Sequence, residues 1–307
     1  CSFSAVQLGR SPLAVARRGG SMARRRRKGI VARSARVLRW ALRIALVLLV
    51  ADLAYLAIIW PDWKRLANGP IPKSSFMQLY EDKAAERGWG ALAWQPVALT
   101  RIPAHMQRAV IVAEDSRFYE HSGFDLIAIQ DAIDYNLERG ELAFGASTIT
   151  QQTVKNLYLS PSRNPLRKWH ELFLTGGIEV NLRKTRILEI YLNIAEFGRG
   201  IYGVQAAAQR YYGVNVEQLT ALQAAELAAT LPSPVKRNPA SRTELFQRRT
   251  QRIFNLMTRD PSAPAAVATD APPFDEPSPA ATVDPEVAVP DAAVESPVPA
   301  APPTREQ

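Results

Sequence analysis

Cysteine is almost absent from this chain of 307 residues: Cys1 is the only one, and histidine occurs three times. One cysteine cannot form an intrachain disulfide, and beyond the first residue it leaves no cysteine nucleophile and no thiolate metal site. No second histidine or cysteine stands at metal-ligand spacing from His121, so no zinc site is expected. Alternating apolar and polar patterns longer than four residues are also missing, which predicts a domain that is mainly α-helical.

Acidic residues are missing from residues 1–43, which carry twelve arginines and lysines. Residues 260–307 show the opposite bias, with nine acids and one arginine. The formal net charge of +9 therefore describes mostly a basic arm, residues 1–37, which is expected to be cytoplasmic. A basic arm can bind nucleic acid, but beside an apolar run its arginines are expected to set membrane topology and to contact anionic lipid. No nucleic-acid partner is predicted.

The arm leads into an apolar run, residues 38–60, which contains IALVLLVADLAYLAIIW. This length suits a single helix across about 30 Å of hydrocarbon. The charged side chain of Asp52 is energetically unfavourable within such a span. A cleaved signal peptide is the alternative, but the run is longer than a usual signal core and WPDWKRL after it offers no small-residue cleavage site. Because basic flanks stay in the cytoplasm, everything after Trp60 is predicted to lie on the outer side.

The remaining sequence divides into a predicted domain, residues 61–259, and an acidic Ala/Pro-rich tail, residues 260–307, which is expected to be disordered. Within the domain, apolar residues recur at helical spacing in four places. The predicted faces are Met106, Ala109, Val110 and Ala113 after Pro103; Leu166, Trp169, Phe173, Gly177 and Val180; Ile187, Ile190, Tyr191 and Ile194; and a helix from Glu217 to Leu231 that Pro232 stops.

Two adjacent carboxylates stand at the end of the first of these helices, in the sequence AEDSRFYEHSGFD of residues 113–125. Glu114 and Asp115 are followed by His121 in a turn-prone segment around Gly123. Taken alone, charges at a helix end usually form a solvated face, and a single histidine is more often structural than catalytic.

A second polar stretch is GASTITQQTVKN, residues 145–156. It lacks the second glycine and the Gly-Lys-Ser/Thr of a nucleotide phosphate loop. Its hydroxyl and amide groups suit sugars or a diphosphate, and Lys155 adds a point charge. The alternative is an N-capped helix start whose polar residues face water.

A third segment, RNPLRKWHELF of residues 163–173, holds three cations and one acid. On a helix Arg167 and Lys168 lie four and three residues before Glu171, so a surface ion pair is the simpler interpretation.

Together the three segments resemble the glycosyltransferase domain of peptidoglycan synthases, glycosyltransferase family 51. Class A penicillin-binding proteins and monofunctional biosynthetic transglycosylases share this domain. The resemblance covers about residues 96–239: EDSRFYEHSGFD, GASTITQQ with KN, RKWHE and KTRILEIYLN occur in that order, and GIYGVQAAAQRYYG follows. Ala146 stands where a second glycine is more usual. Lys-Thr-Gly is missing, and the Ser-x-x-Lys of residues 233–236 lies between prolines, so the monofunctional type is expected.

The resemblance implies a lysozyme-like α fold with a hydrophobic jaw near the membrane, and a hexosyltransferase that polymerises lipid II. In that reaction the acceptor's 4-hydroxyl attacks the anomeric carbon of a donor held through undecaprenyl diphosphate, with inversion and a β-1,4 link. Glu114 matches the catalytic base, and Glu171 a second carboxylate that orients or stabilises. The cations that match diphosphate contacts are Lys155, Arg163, Arg167 and Lys168. The other residues assigned to substrate binding or to shaping the first motif are Asp115, Phe118, His121, Ser147, Thr148, Gln151, Gln152 and Asn156.

The partners implied are lipid II, the growing glycan strand and the bilayer, with other cell-wall synthases as further candidates. The expected location is the bacterial inner membrane, single-pass, with the catalytic domain on the periplasmic side. No protein metal ligand is predicted, and Mg²⁺ or another divalent cation at the diphosphate stays open. A lysozyme-like enzyme that cleaves the glycan is the alternative, because fold and catalytic glutamate are shared, but cleavage needs no cluster of cations.

Overall fold

The computed structural model describes residues 16–140, 146–159 and 165–259. The chain divides into two compact units, Cys1–Pro61 and Asp62–Gln307. The predicted tail, residues 260–307, and Arg163 lie outside the described residues.

The first unit contains one long helix, α1, Ala16–Ile58. Within the described chain, Val37–Asn68 is the one segment long and apolar enough to cross a membrane, with a mean hydropathy of 2.4. It includes the run predicted from the sequence. Most of its large apolar side chains are exposed, among them Leu38, Leu42, Leu46 and Leu53, whereas Leu56, Trp63 and Leu66 are buried. Length and composition therefore suit a membrane span.

The second unit is built mainly from helices, as the sequence predicts. The helices described are α2, Trp63–Asn68; α3, Ser75–Arg87; α4, Ala104–Glu114; α5, Leu126–Arg139; α6, Ile149–Tyr158; α7, Pro165–Asn181; α8, Lys184–Ile194; α9, Val204–Tyr212; α10, Ala221–Thr230; and α11, Glu244–Arg259. The strands described are β1, Ala93–Trp94; β2, Glu196–Gly198; and β3, Ile201–Tyr202. β3 lies between the other two, parallel to β1 and antiparallel to β2.

Helix α8 lies at the centre of the core and packs against α6, which in turn contacts α7. Its predicted face is confirmed, since Ile187, Ile190, Tyr191 and Ile194 are all buried. Asn193 is buried beside them and binds both backbone groups of Val97: it accepts from the N–H at 2.7 Å and donates to the carbonyl at 2.9 Å. This pair of bonds fixes the segment that leads into α4.

Helix α4 begins directly after Pro103 and buries Met106, Ala109 and Val110, as predicted, while Ala113 is partly buried. It ends at Glu114, and Asp115 is its C-terminal cap. α4 packs against α10 and α11. The core therefore holds the end of α4, and with it the two adjacent carboxylates, in one place.

The predicted core face of α7 is wrong. The helix forms, but Trp169, Phe173 and Val180 are 43%, 39% and 86% exposed, and the side chain of Leu166 lies outside the described residues. The residues that α7 buries are His170, Glu171, Leu174, Thr175 and Ile178. The apolar stripe therefore faces away from the core, and partly polar residues face inward.

The fourth predicted helix starts later than expected. Thr220 accepts a hydrogen bond from the Gln223 N–H, and the Gln223 side chain accepts one from the Thr220 N–H. This capping box begins α10 at Ala221, while Val216–Gln218 forms a separate 3₁₀ turn. The predicted stop is close, because α10 ends at Thr230.

Candidate functional site

Glu114 is buried at the end of α4, with 6% of its side chain exposed. Its Oε1 accepts a hydrogen bond from Arg249 Nη2 at 2.9 Å, and its Oε2 accepts one from Gln152 Nε2 at 2.9 Å. Burial raises the pKa of Glu114, and Arg249, Gln152 and Lys155 offset part of this rise. Such a carboxylate is a better proton acceptor than one in water, because its conjugate acid is weaker.

Asp115 joins the first polar motif to the start of α6. Its side chain is 1% exposed. Oδ1 lies 2.8 Å from His121 Nε2, and Oδ2 accepts a hydrogen bond from the Ile149 N–H at 2.9 Å. Since His121 Nδ1 accepts the Gly123 N–H at 3.2 Å, Nε2 carries the hydrogen donated to Asp115. The predicted role of Asp115 and His121 in shaping this motif has a direct geometric basis.

Phe118 is fully buried behind these groups, and the Lys184 ammonium lies 4.5 Å from the centre of its ring. Lys184 also pairs with Glu179 at 2.7 Å, and Glu179 accepts a hydrogen bond from Thr150 at 2.5 Å. The Phe118 ring thus contacts Lys184 of α8, and Lys184 is linked through Glu179 of α7 to Thr150 of α6.

The start of α6 uses most of the polar groups of the second motif. Thr148 accepts the Gln151 N–H at 3.2 Å and donates to the Gly123 carbonyl at 2.7 Å, and Gln151 closes the capping box. Both side chains are buried, which favours the helix-capping interpretation for these two residues. Ser147 and Asn156 are half-buried, and Gln152 reaches Glu114.

Lys155 lies one turn after Gln152 on α6 and faces the third motif. Its ammonium makes no hydrogen bond or ion pair with any residue that the structure describes, and burial lowers its pKa. The opposing charges of Glu171 and Glu114 raise that pKa, whereas Arg167 and Lys168 lower it. A half-buried ammonium group without a contacting partner is stabilised by an anion placed beside it.

The third motif adds two cations and one carboxylate on α7. Lys168 pairs with Glu171 Oε1, and the Glu171 side chain is 4% exposed. The Nε of Arg167 is buried without a hydrogen-bond partner among residues 16–140, 146–159 and 165–259. The cation cluster, defined here as Lys155, Arg167 and Lys168, therefore exceeds its local carboxylate in charge and suits a multiply charged anion.

Asp115, His121 and Asp125 form the one group of three potential metal ligands found in the described part of the chain, with donor atoms within 4.8 Å. These residues do not fit a cation. Asp115 already binds His121 and a backbone N–H, while Asp125 pairs with Arg117 and accepts the Ala128 N–H at 2.8 Å. The guanidinium of Arg117 would repel an ion there. This group does not bear on a divalent cation at the diphosphate, which stays open.

Two residues of the site are missing from the sequence-based set. Arg249 on α11 reaches Glu114, and Tyr191 on α8 donates to Gln152 Oε1 at 3.0 Å. The signal for Arg249 is its position in the buried stripe of α11, between Phe246 and Ile253, where an arginine needs a buried partner. Tyr191 is predicted for the core, but nothing in the sequence says where its hydroxyl points.

Comparison with known proteins matches residues 86–258 to the model of the Transglycosylase family. A biosynthetic peptidoglycan transglycosylase of Nitrosospira multiformis is 39% identical over 220 residues, 71% of this chain and 96% of the relative. A protein of the same name from Thiobacillus denitrificans is 41% identical over 219 residues, 71% of this chain and 92% of that relative. One from Marinomonas sp. is 46% identical over 188 residues, 61% of this chain and 80% of that relative. The family match includes every site residue described above.

The Glu114–Arg249 pair generates a prediction about stability. Arg249→Met should lower the free energy of unfolding by about 3 kcal/mol at pH 8, because it leaves a buried carboxylate uncompensated. The loss should be smaller at pH 5, where Glu114 can bind a proton. Urea denaturation of the full chain in detergent at both pH values measures this.

The matched control is Arg248→Met on the same helix. Arg248 pairs with Glu244 at 2.7 Å, but both side chains are mostly exposed. Its loss should change the free energy of unfolding by less than about 0.5 kcal/mol. Equal losses in the two variants would contradict the buried pair.

Proposed function

Because the chain belongs to the transglycosylase family and is a peptidoglycan glycosyltransferase, we propose that its reaction is the polymerisation of lipid II into glycan strands. The observation that carries this proposal is the pairing of one buried base, Glu114, with a cation cluster at the cleft, half-buried at Lys155 and Arg167 and exposed at Lys168, that lacks enough carboxylate to neutralise it. A reaction that deprotonates an alcohol and releases a diphosphate needs both.

In the proposed step Glu114 takes the proton of the acceptor's 4-hydroxyl. The hydroxyl oxygen then bonds to the anomeric carbon of the donor from the face opposite the leaving group, so the configuration inverts. Gln152 and Arg249 each occupy one oxygen of Glu114, which fixes the direction of the remaining lone pairs. Burial supplies the basicity, since it raises the pKa of the carboxyl.

The bond that breaks joins the donor's anomeric carbon to undecaprenyl diphosphate. Negative charge grows on the departing oxygen, and Lys155, Arg167 and Lys168 are placed to stabilise it. Arg163 belongs to the same predicted set. Glu171 holds Lys168 in position and offsets part of the fall in the pKa of Lys155 that desolvation causes.

Cleavage of the glycan by a lysozyme-like reaction is the competing chemistry. Its leaving group is a sugar hydroxyl, which requires a proton donor and no diphosphate site. The half-buried Lys155, without an anionic partner at contact distance among the described residues, has no function in such a reaction. The cation cluster therefore favours synthesis.

We further propose that the chain is a single-pass protein of the inner membrane with its catalytic domain on the periplasmic side. Val37–Asn68 is apolar enough to span, and the arginines before it favour the cytoplasm. The domain itself exposes large apolar side chains on α5 and α7, and three of those on α7, Trp169, Leu172 and Phe173, line a cavity of about 440 Å³. The exposed residues are Leu126, Ile127, Ile133 and Leu137 of α5 and Trp169, Leu172, Phe173 and Val180 of α7. Such a surface suits an enzyme whose substrates carry polyprenyl tails in the bilayer.

The base assignment is tested with labelled lipid II and the full chain in detergent. Glu114→Gln should reduce polymerisation by about 10²- to 10⁴-fold, because an amide cannot accept the proton. Glu244→Gln, an exposed residue on α11, is the control and should polymerise at the wild-type rate. Near wild-type polymerisation by Glu114→Gln with an unchanged melting temperature would refute the assignment.

The leaving-group assignment is tested at Lys155. Lys155→Ala should lower kcat by about 10²-fold, since one charge-stabilising contact is lost. Lys73→Ala removes a lysine from an exposed pair with Glu81 and should leave kcat unchanged. If both variants retain full activity, Lys155 has no part in the reaction.

The orientation is tested by thiol labelling of spheroplasts in a Cys1→Ser background. Ser241→Cys, in an exposed segment of the domain, should react with a membrane-impermeant maleimide in intact spheroplasts. Ser21→Cys, in the basic arm, should react only after lysis. Labelling of both before lysis, or of Ser21→Cys alone, would exclude the proposed topology.

A further inference from the structure

A hydrogen-bonded chain leads from the core to the carboxylate of Glu114. The Tyr191 hydroxyl donates to Gln152 Oε1 at 3.0 Å, and Gln152 Nε2 donates to Glu114 Oε2 at 2.9 Å. Tyr191 is 1% exposed and is held on α8 between buried neighbours. Its hydroxyl therefore has a fixed position relative to Gln152.

The direction of this chain depends on the proton of Glu114. An ionised carboxylate only accepts hydrogen bonds, so Gln152 must present its NH₂ group to Glu114 and its oxygen to Tyr191. Only a donor can satisfy that oxygen. A protonated Glu114 could instead donate to the amide oxygen after a flip of Gln152, so the two amide orientations belong to two protonation states of the base.

The Tyr191 hydroxyl can hold Gln152 with its NH₂ group towards Glu114 throughout the working pH range. Burial raises the pKa of Tyr191 well above its ordinary value, and the nearby Glu114 and Asp115 raise it further, so the group stays a donor. The other charged groups that face Glu114 are Arg249 from α11 and Lys155 from α6. Both attract the carboxylate.

We propose that Tyr191 is a positioning residue of the reaction: its hydroxyl fixes the amide of Gln152 in the orientation that supports ionised Glu114. This inference depends on the proposed function, because it concerns the base of that reaction. Tyr191 touches no reacting atom and acts only through Gln152.

The test is the pH dependence of lipid II polymerisation by Tyr191→Phe in the full chain. The phenyl ring keeps its packing, but the Gln152 oxygen loses its donor. The acidic limb of kcat against pH should move to higher pH by about half to one unit, the effect of one buried hydrogen bond. Activity should fall by about 3- to 10-fold at pH 6 and by less at pH 8.5.

The control is Tyr211→Phe, which removes a hydroxyl that donates to the Phe197 carbonyl at 2.7 Å. It makes the same chemical change outside the chain of contacts to Glu114 and should leave the acidic limb in place. A fall in melting temperature with equal loss of activity at every pH would give Tyr191 a structural role only and overturn the inference.

A double-mutant cycle tests the same connection through Gln152. Gln152→Met should move the acidic limb in the same direction, and adding Tyr191→Phe to it should cause no further shift, because the connection is already broken. Independent, additive shifts would overturn the inference. If the wild type does not polymerise lipid II, the proposed function itself fails, whereas an active wild type with an unshifted Tyr191→Phe refutes only the role of Tyr191.

Discussion

The burial of the Glu114 carboxylate among hydrogen-bond donors is the interaction on which this domain depends. Removing Glu114 from water disfavours its ionised form. Hydrogen-bond donors from distant parts of the chain offset part of this cost. Arg249 is 135 residues away in sequence and Gln152 is 38 residues away. The helices α4, α6 and α11 must therefore meet at one point. This requirement makes α11 part of the site, although its sequence carries none of the motifs.

Helix α6 connects the two halves of the proposed chemistry. Gln152 holds the base, and Lys155, one turn later, faces the cations of α7. The first residue of the helix, Ile149, donates its N–H to Asp115, the neighbour of Glu114. A shift of α6 would move the base support and the leaving-group cation together. The Thr148 cap and the Asp115 contact hold the start of α6 in place, and with it the positions of Gln152 and Lys155.

Much of the fold could be predicted, because apolar residues recur at helical spacing within short segments of the sequence. The faces of α4 and α8 follow from apolar residues at helical spacing, whereas the assignment of Glu114 follows from the resemblance of its motif to the family. Arg249 could not be assigned to Glu114, since no local pattern encodes a partner so far along the chain. The role of Thr148 was visible only as one of two alternatives, because the same hydroxyl suits a cap or a sugar.

The prediction that failed, the core face of α7, has a physical explanation. Periodicity finds an apolar stripe but does not say whether protein or lipid covers it. Arg167 and Glu171 are four residues apart, as are Trp169 and Phe173, whose rings contact each other with centroids 4.7 Å apart. The two pairs are offset by two residues, about 200° around the helix, so they lie on opposite sides. One helix then separates the Arg167 guanidinium from the Trp169 and Phe173 rings by about its own diameter, roughly 10 Å. A diphosphate joined to a polyprenyl tail, the leaving group proposed for this chain, has the same division between charged and apolar parts, which supports the proposal.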